Sequence, residues 1–461
     1  MKDARKLLAL LLDLLSLVVV LTAGFAVVTN LGQTLAKNAN VYTTAANGSF
    51  QHIDFISYYM AGTLARADSK TRSQAYDPAV QLAQYNAVIA PAKIDRPIFF
   101  NYPPYAFSLM VPFSLMPLRS AYLLWDALSL LAGVGALILA GRAVGKLNLL
   151  SLVGLVACFA LSFPGCDALM DGQMTWWFMA FIALAYLGVK GNNDYLAGAA
   201  TAMLALKPHF FLFMVIPLIV SKRKKAILVC ALAMAMLLLL ATVTLGFENV
   251  INYPKIVLAG ENVELCPMTF PERMVCLRGP ASIFLTHDWY MRLAFGGFVI
   301  GLAAFFHIFK KALSRAGASI SLEMAYGLAI PLLLTLSPHM HVYDCALLAI
   351  PAVLLLPSIR PSQLLTAKTA APFKIYTLLV GSYFLLSWLI MIAAPALGGL
   401  LPAAVQAKLS VNDIPCALLS FYLYLVLDVV LVLLLAASLS PALSSARGAE
   451  KVSSPLTSDQ S

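Results

Sequence analysis

The chain has 461 residues, of which 61% are hydrophobic and 11% charged, with a mean hydropathy of +0.85. A soluble domain averages roughly 45–50% apolar and about 25% charged residues, so an aqueous globular fold is excluded and lipid must solvate much of the surface. The net charge of +10 is gathered in short basic runs between apolar stretches, which is a membrane-topology pattern and not a nucleic-acid footprint.

The first apolar run, Leu7 to Val28, follows the basic start MKDARK. It is about 22 residues long, beyond the roughly 7–15 of a signal-peptide core, and it contains Asp13. It reads as a first transmembrane helix with a cytoplasmic N-terminus. A polar stretch follows from Thr29 to Asn101. Apolar runs then recur near 105–117, 121–140, 149–164, 174–189, 195–206, 209–220, 226–246, 289–309, 320–336, 343–357, 374–394 and 414–438. At a rise of about 1.5 Å per residue a span needs ~20 residues. Several runs fall short of this, which suggests re-entrant or interfacial pieces.

Basic residues set the orientation. Arg142 and Lys146, Lys190, the run Lys222-Arg223-Lys224-Lys225, Lys310 with Lys311 and Arg315, and Arg360 with Lys368 sit in short connections, which belong to the cytoplasm. By alternation the loops 29–101, 164–174, 247–288, 337–342 and 395–413 lie outside. Lys190 and the Lys222–Lys225 run both require the cytoplasm, although the apolar stretch 195–220 lies between them. Its break is Lys207-Pro208, where proline resists helix continuation. Two half-length helices meeting there as a hairpin satisfy both ends. A broken helix inside a bilayer needs protein or a wet cavity around it.

The expected fold is therefore an all-α polytopic membrane protein of roughly 11–13 transmembrane or re-entrant helices. It forms a single domain over 1–440, with long extracytoplasmic loops at 29–101 and 247–288. A disordered cytoplasmic tail rich in Ser, Ala and charge follows over 441–461. Of the seven cysteines, Cys158, Cys230 and Cys345 lie in or beside apolar runs as packing residues. Cys266 and Cys276 share an outer loop, where a disulfide is one option. No Cys/His cluster suggests a metal site, and neither a cofactor nor a nucleic-acid partner is expected.

Four segments carry candidate chemistry. In QHIDFISYYMAG, Asp54 precedes Tyr58 by one helical turn, with Tyr59 beside it. The carboxylate can accept a proton from a hydroxyl-bearing substrate held against the rings, or it can simply cap the helix that follows. In GCDALMDGQMTWW, Asp167, Asp171 and Gln173 can hydrogen-bond a sugar or merely hydrate a short loop. Lys207 lies near the bilayer interior, where a cation costs about 2.5–3.5 kcal/mol on insertion scales. A phosphate is one natural partner; snorkelling to a headgroup is the other reading. In LSPHMHVYD, His339 and His341 point the same way if extended, with Asp344 at the start of the next span. The segment FFNYPPYAF, with Pro103-Pro104, is a rigid turn entering the membrane boundary.

Taken together, DFISYYMAG with the later AYDP, FFNYPPYAFSLMVPFSLMP, GQMTWW, LAGAATAMLALKPHF and SPHMHVYD resemble, in order, glycosyltransferase family 87. These are GT-C superfamily membrane enzymes that use polyprenyl-phosphate sugars. The resemblance implies a GT-C-type bundle in a bacterial inner membrane, working on the periplasmic face. It implies Asp54 as the general base, with inversion in a single displacement. Lys207, His339 and His341 are then the ligands of the donor phosphate. Tyr58, Tyr59, Asn101, Tyr102, Asp171 and Gln173 are candidate contacts for sugar or acceptor. The implied partners are a polyprenyl-phosphate sugar, with mannose or a related hexose or pentose, a lipid or glycan acceptor, and membrane lipids. A secondary transporter and a non-catalytic subunit of an envelope-assembly complex are the competing classes. Transporters often break helices in corresponding halves, and the sequence shows one break without a mate.

Overall fold

The computed structural model describes residues 53–95, 99–145, 148–260, 270–313 and 321–355, with scattered positions between 383 and 426. The expected first span Leu7–Val28, the tail 441–461, Lys146, Arg315, Arg360, Lys368 and Cys266 lie outside the described residues. Within them the chain is all-helical without strands, as an all-α polytopic membrane protein requires. An isolated bridge pairs Met274 with His341.

The first outer loop is more structured than its polarity suggested. It folds into α1 (Asp54–Ala65), α2 (Ser69–Ser73) and α3 (Pro78–Ile89). Asp68 and Asp77 cap the second and third by accepting backbone N–H groups of the first turn. The first is largely buried: Phe55, Ile56, Met60 and Leu64 are fully inaccessible. It packs on α4 (Pro104–Ser114), which starts with proline at its first position, where the missing N–H leaves nothing unsatisfied. The buried Gln81 amide fixes the intervening loop, accepting the Phe100 N–H at 2.8 Å and donating to Ala75 O at 2.9 Å.

The membrane part follows as α5 (Leu118–Val144), α6 (Leu149–Ala160), α7 (Phe163–Met170), α8 (Thr175–Lys190), α9 (Asp194–Met203), α10 (Pro208–Met214), α11 (Ile216–Val220) and α12 (Lys224–Leu245). Next come α13 (Phe247–Gly260), α14 (Arg278–Phe284), α15 (His287–Leu313), α16 (Leu322–Leu336) and α17 (Ala349–Leu355). Among the described residues α5, α12 and α15 are long and apolar enough to cross a membrane. On α12 the exposed residues Leu228, Leu232, Met236, Leu239 and Val243 recur every three or four positions. That is a continuous apolar stripe of the kind a spanning helix presents to lipid. A second break, not anticipated from sequence, bends α6 against α7 by 61°. Ser162 fixes it by accepting the Gly165 N–H at 3.2 Å.

The hairpin is present. A 3-10 turn over Leu204–Leu206 ends α9, Lys207 is extended at φ −115°, ψ 102°, and α10 restarts at Pro208. Both hairpin ends meet at one edge of the bundle. Arg223 donates to Asp194 Oδ1 at 3.0 Å, to Val189 O at 2.7 Å and to Asn192 Oδ1. Lys190 pairs with Glu323 at 2.6 Å beside them. Small residues let the helices approach: a side chain on Gly188 would strike Ala197, and one on Gly198 would strike the Ala226 carbonyl. At the opposite edge, Arg72 donates to Thr244 O at 3.1 Å, and Asn249, just past α12, donates to Arg72 O at 3.1 Å. The outer helices are thus fastened to the far end of α12.

Candidate functional site

Asp54 is the first residue of α1, and the N-cap position belongs to Ile53, with no side-chain capping bond. The Asp54 carboxylate accepts a hydrogen bond at Oδ2 from Gln173 Nε2. The turn carrying Gln173 grips the helix start a second time, because Asp171 O accepts the Phe55 N–H at 2.9 Å. Gly172 makes this contact possible. It sits at φ +64°, and a side chain there would collide with Phe55 and Tyr122. Trp125 Nε1 donates to Gly172 O at 2.8 Å, and Tyr122 OH donates to Met170 O at 2.7 Å. The turn is therefore pinned from α5.

Gln173 is only 2% exposed, and both ends of its amide are used. Tyr58 OH donates to Oε1 at 3.0 Å, which leaves the NH2 facing Asp54. Tyr58 and Tyr102 hydroxyls are 2.8 Å apart. Trp125 stacks on the Tyr58 ring, and Phe100 meets it edge-on. Burial, then the neighbouring Tyr102 and Asp54, push the Tyr58 phenol well above its usual value. Burial also raises Tyr102, and the charges of Asp344 and Asp54 both act on it in that direction. Tyr102 thus stands within electrostatic reach of two carboxylates.

The second carboxylate, Asp344, is the partner of Lys207. Lys207 Nζ lies 2.8 Å from Asp344 Oδ1, and both are buried. Phe178, Phe210 and Tyr343 surround the ammonium with ring centroids 5.3 to 5.5 Å away. Lys207 therefore does not snorkel. The hairpin tip is tied to α4 as well, through Tyr105 OH donating to Ala205 O at 2.6 Å. His339 and His341 follow α16, with their Nε2 atoms 3.2 Å apart. His341 stacks on Tyr343, and Val275 N–H donates to Met340 O at 2.8 Å, so the second outer loop holds this segment in place.

The sequence-predicted residues divide accordingly. Asp54, Gln173, Tyr58 and Tyr102 form one connected chain, and Lys207 and His341 meet through Asp344. Tyr59 points elsewhere, donating to Met116 O at 2.8 Å. Asp171 contributes its main chain to the start of α1. Asn101 uses its carbonyl to take Tyr253 OH at 3.1 Å and anchors α13. Cys276 is a buried thiol, and its sequence-suggested partner Cys266 lies outside the described residues. Asp344, Tyr343 and Thr175 were not singled out as site residues. An acid in the apolar run VYDCALLAI and a base in LALKPHF each need a buried partner, and pairing them was the available signal.

Membrane-length helices together with a family match point to the class of membrane glycosyltransferases. Residues 99–322 match the model of glycosyltransferase family 87, the family that the motifs resemble. The matched range takes in Asn101, Tyr102, Asp171, Gln173 and Lys207, while Asp54, His339 and His341 lie beyond it. No curated protein matches the chain.

Proposed function

We propose that the protein moves a sugar, mannose or a related one, from a polyprenyl phosphate to an extracytoplasmic acceptor with inversion, and that Asp54 is the general base. The observation that carries this reading is the orientation of Asp54. Its carboxylate sits in the first turn of α1 and accepts a hydrogen bond from the buried Gln173 amide. The acceptor hydroxyl gives its proton to Asp54 while its oxygen bonds to the anomeric carbon. The bond from that carbon to the phosphate oxygen breaks, and the electron pair leaves with the lipid phosphate. Lys207, His339 and His341 offset the charge that develops there. No second carboxylate nucleophile is required, unlike in retaining glycosidases. In this reading the basic hairpin base faces the cytoplasm, and the Asp54 end works on the periplasmic face of a bacterial inner membrane.

The test is transfer by purified protein from a polyprenyl-phosphate sugar into a membrane lipid extract. Asp54→Asn should retain its elution profile and lose transfer by about 100-fold or more. Undiminished transfer by that variant would remove Asp54 from the base role.

A further inference from the structure

Asp344 is 0% exposed, and its two oxygens meet three donors from three different elements. Oδ1 takes Lys207 Nζ at 2.8 Å and the Thr175 hydroxyl at 3.3 Å. Oδ2 takes the backbone N–H of His341 at 3.1 Å. Lys207 is the hairpin tip, Thr175 opens α8 two residues after Gln173, and His341 belongs to the histidine loop. A charge this deep persists only when paired and hydrogen-bonded. Here every bond runs to a segment that carries a residue of the site.

We propose that Asp344 is a positioning residue for the transfer reaction, fixing the His341 backbone and Lys207 relative to Asp54 while restraining the Lys207 charge. This rests on the function proposed above. An ammonium in contact with a carboxylate presents a much weaker field to a third group than a bare ammonium does. The donor is a phosphodiester with one negative charge, and the departing lipid phosphate is a monoester approaching two. A bare buried lysine would hold that product tightly, and tight binding that is not specific to the transition state does not speed the chemical step. Asp344 keeps Lys207 in place without letting it become a trap.

The experiment uses the full-length protein in lipid nanodiscs, with polyprenyl phosphate as the binding probe and polyprenyl-phosphate mannose as the donor. Asp344→Asn removes one negative charge with little change of shape. It should bind polyprenyl phosphate about tenfold more tightly while kcat per folded molecule falls about 100-fold. Asp344→Glu keeps the charge but displaces it, so its affinity should stay within about twofold of the parent while kcat drops about tenfold. A residue that only holds the fold together would lower the folded fraction and leave affinity and kcat of the folded molecules unchanged. Unchanged polyprenyl phosphate affinity in the Asn variant overturns the proposal, as does a parental kcat per folded molecule in either variant. If Asp344→Asn does not fold, the kcat of Asp344→Glu decides. If the parent protein transfers nothing from this donor, the proposed function fails, and the affinity arm still decides whether Asp344 restrains Lys207.

Discussion

Gln173 shows how a single side chain can determine what a carboxylate does. Its amide has one acceptor end and one donor end, and Tyr58 occupies the acceptor, so only the NH2 is left for Asp54. Replacing Gln173 with Leu removes the orienting bond, and transfer should fall about 10- to 100-fold while the Asp54 side chain remains in place. Tyr58→Phe is milder for chemistry but leaves the buried Gln173 oxygen without its donor. Thermal unfolding should register a loss of about 1–3 kcal/mol. The phenols also give a pH dependence with a definite sign. Burial raises Tyr58 and Tyr102 above their unfolded value of about 10. Their contribution to stability is therefore complete below about pH 10 and is lost as pH rises past it. The unfolding midpoint should decline above that pH, and less steeply in Tyr58→Phe. Asp54, Tyr58, Gln173 and Lys207 were legible as residue types in unusual places. What each one bonds was not, because Asp54 and Gln173 are 119 positions apart and no local spacing reports such a pairing.

The elements were legible wherever one force dominated. Charge alone required Lys190 and the Lys222–Lys225 run on one side, and Pro208 supplied the break, so the hairpin followed from sequence. α1 was not legible as a buried helix. Its apolar residues Phe55, Ile56, Met60 and Leu64 sit within a stretch whose average is polar, and the surface they cover belongs to α4, whose residues come some fifty positions later. The hairpin is also the element that carries a mechanical prediction. It is wedged between α8 and α12 through Gly188 and Gly198, and its tip holds Lys207. Gly198→Leu should push α9 off α12, at an overpacking cost of about 1–3 kcal/mol. Transfer per folded molecule should fall along with stability, although residue 198 lies near the base of the hairpin and far from Asp54. Parental transfer in folded Gly198→Leu protein would mean that the tip is held by Asp344 and Tyr105 alone.

At the scale of the whole molecule, the basic connections and the polar cluster occupy opposite ends of the same bundle. α12 makes this explicit. It begins at Lys224, beside the Arg223–Asp194 pair, and twenty-odd residues later Thr244 O receives Arg72 from the outer helices. At about 1.5 Å per residue those two points are separated by roughly 30 Å, the thickness of a bilayer core. The positive-inside rule then assigns a compartment to each end, and under the proposed function the lipid-phosphate donor is presented at the end that holds Asp54. Lys70 and Lys224 are both exposed and lie at opposite ends. In cells producing Lys70→Cys, a membrane-impermeant maleimide should label the protein without permeabilisation. In cells producing Lys224→Cys, labelling should appear only after the membrane is opened. The reverse pattern would put Asp54, Gln173 and the histidine loop in the cytoplasm, where the acceptor and the exposed face of the donor would have to be cytoplasmic too. Labelling of both from outside would mean that α12 does not span the bilayer, and the lipid-facing stripe from Leu228 to Val243 would then need a protein partner to cover it.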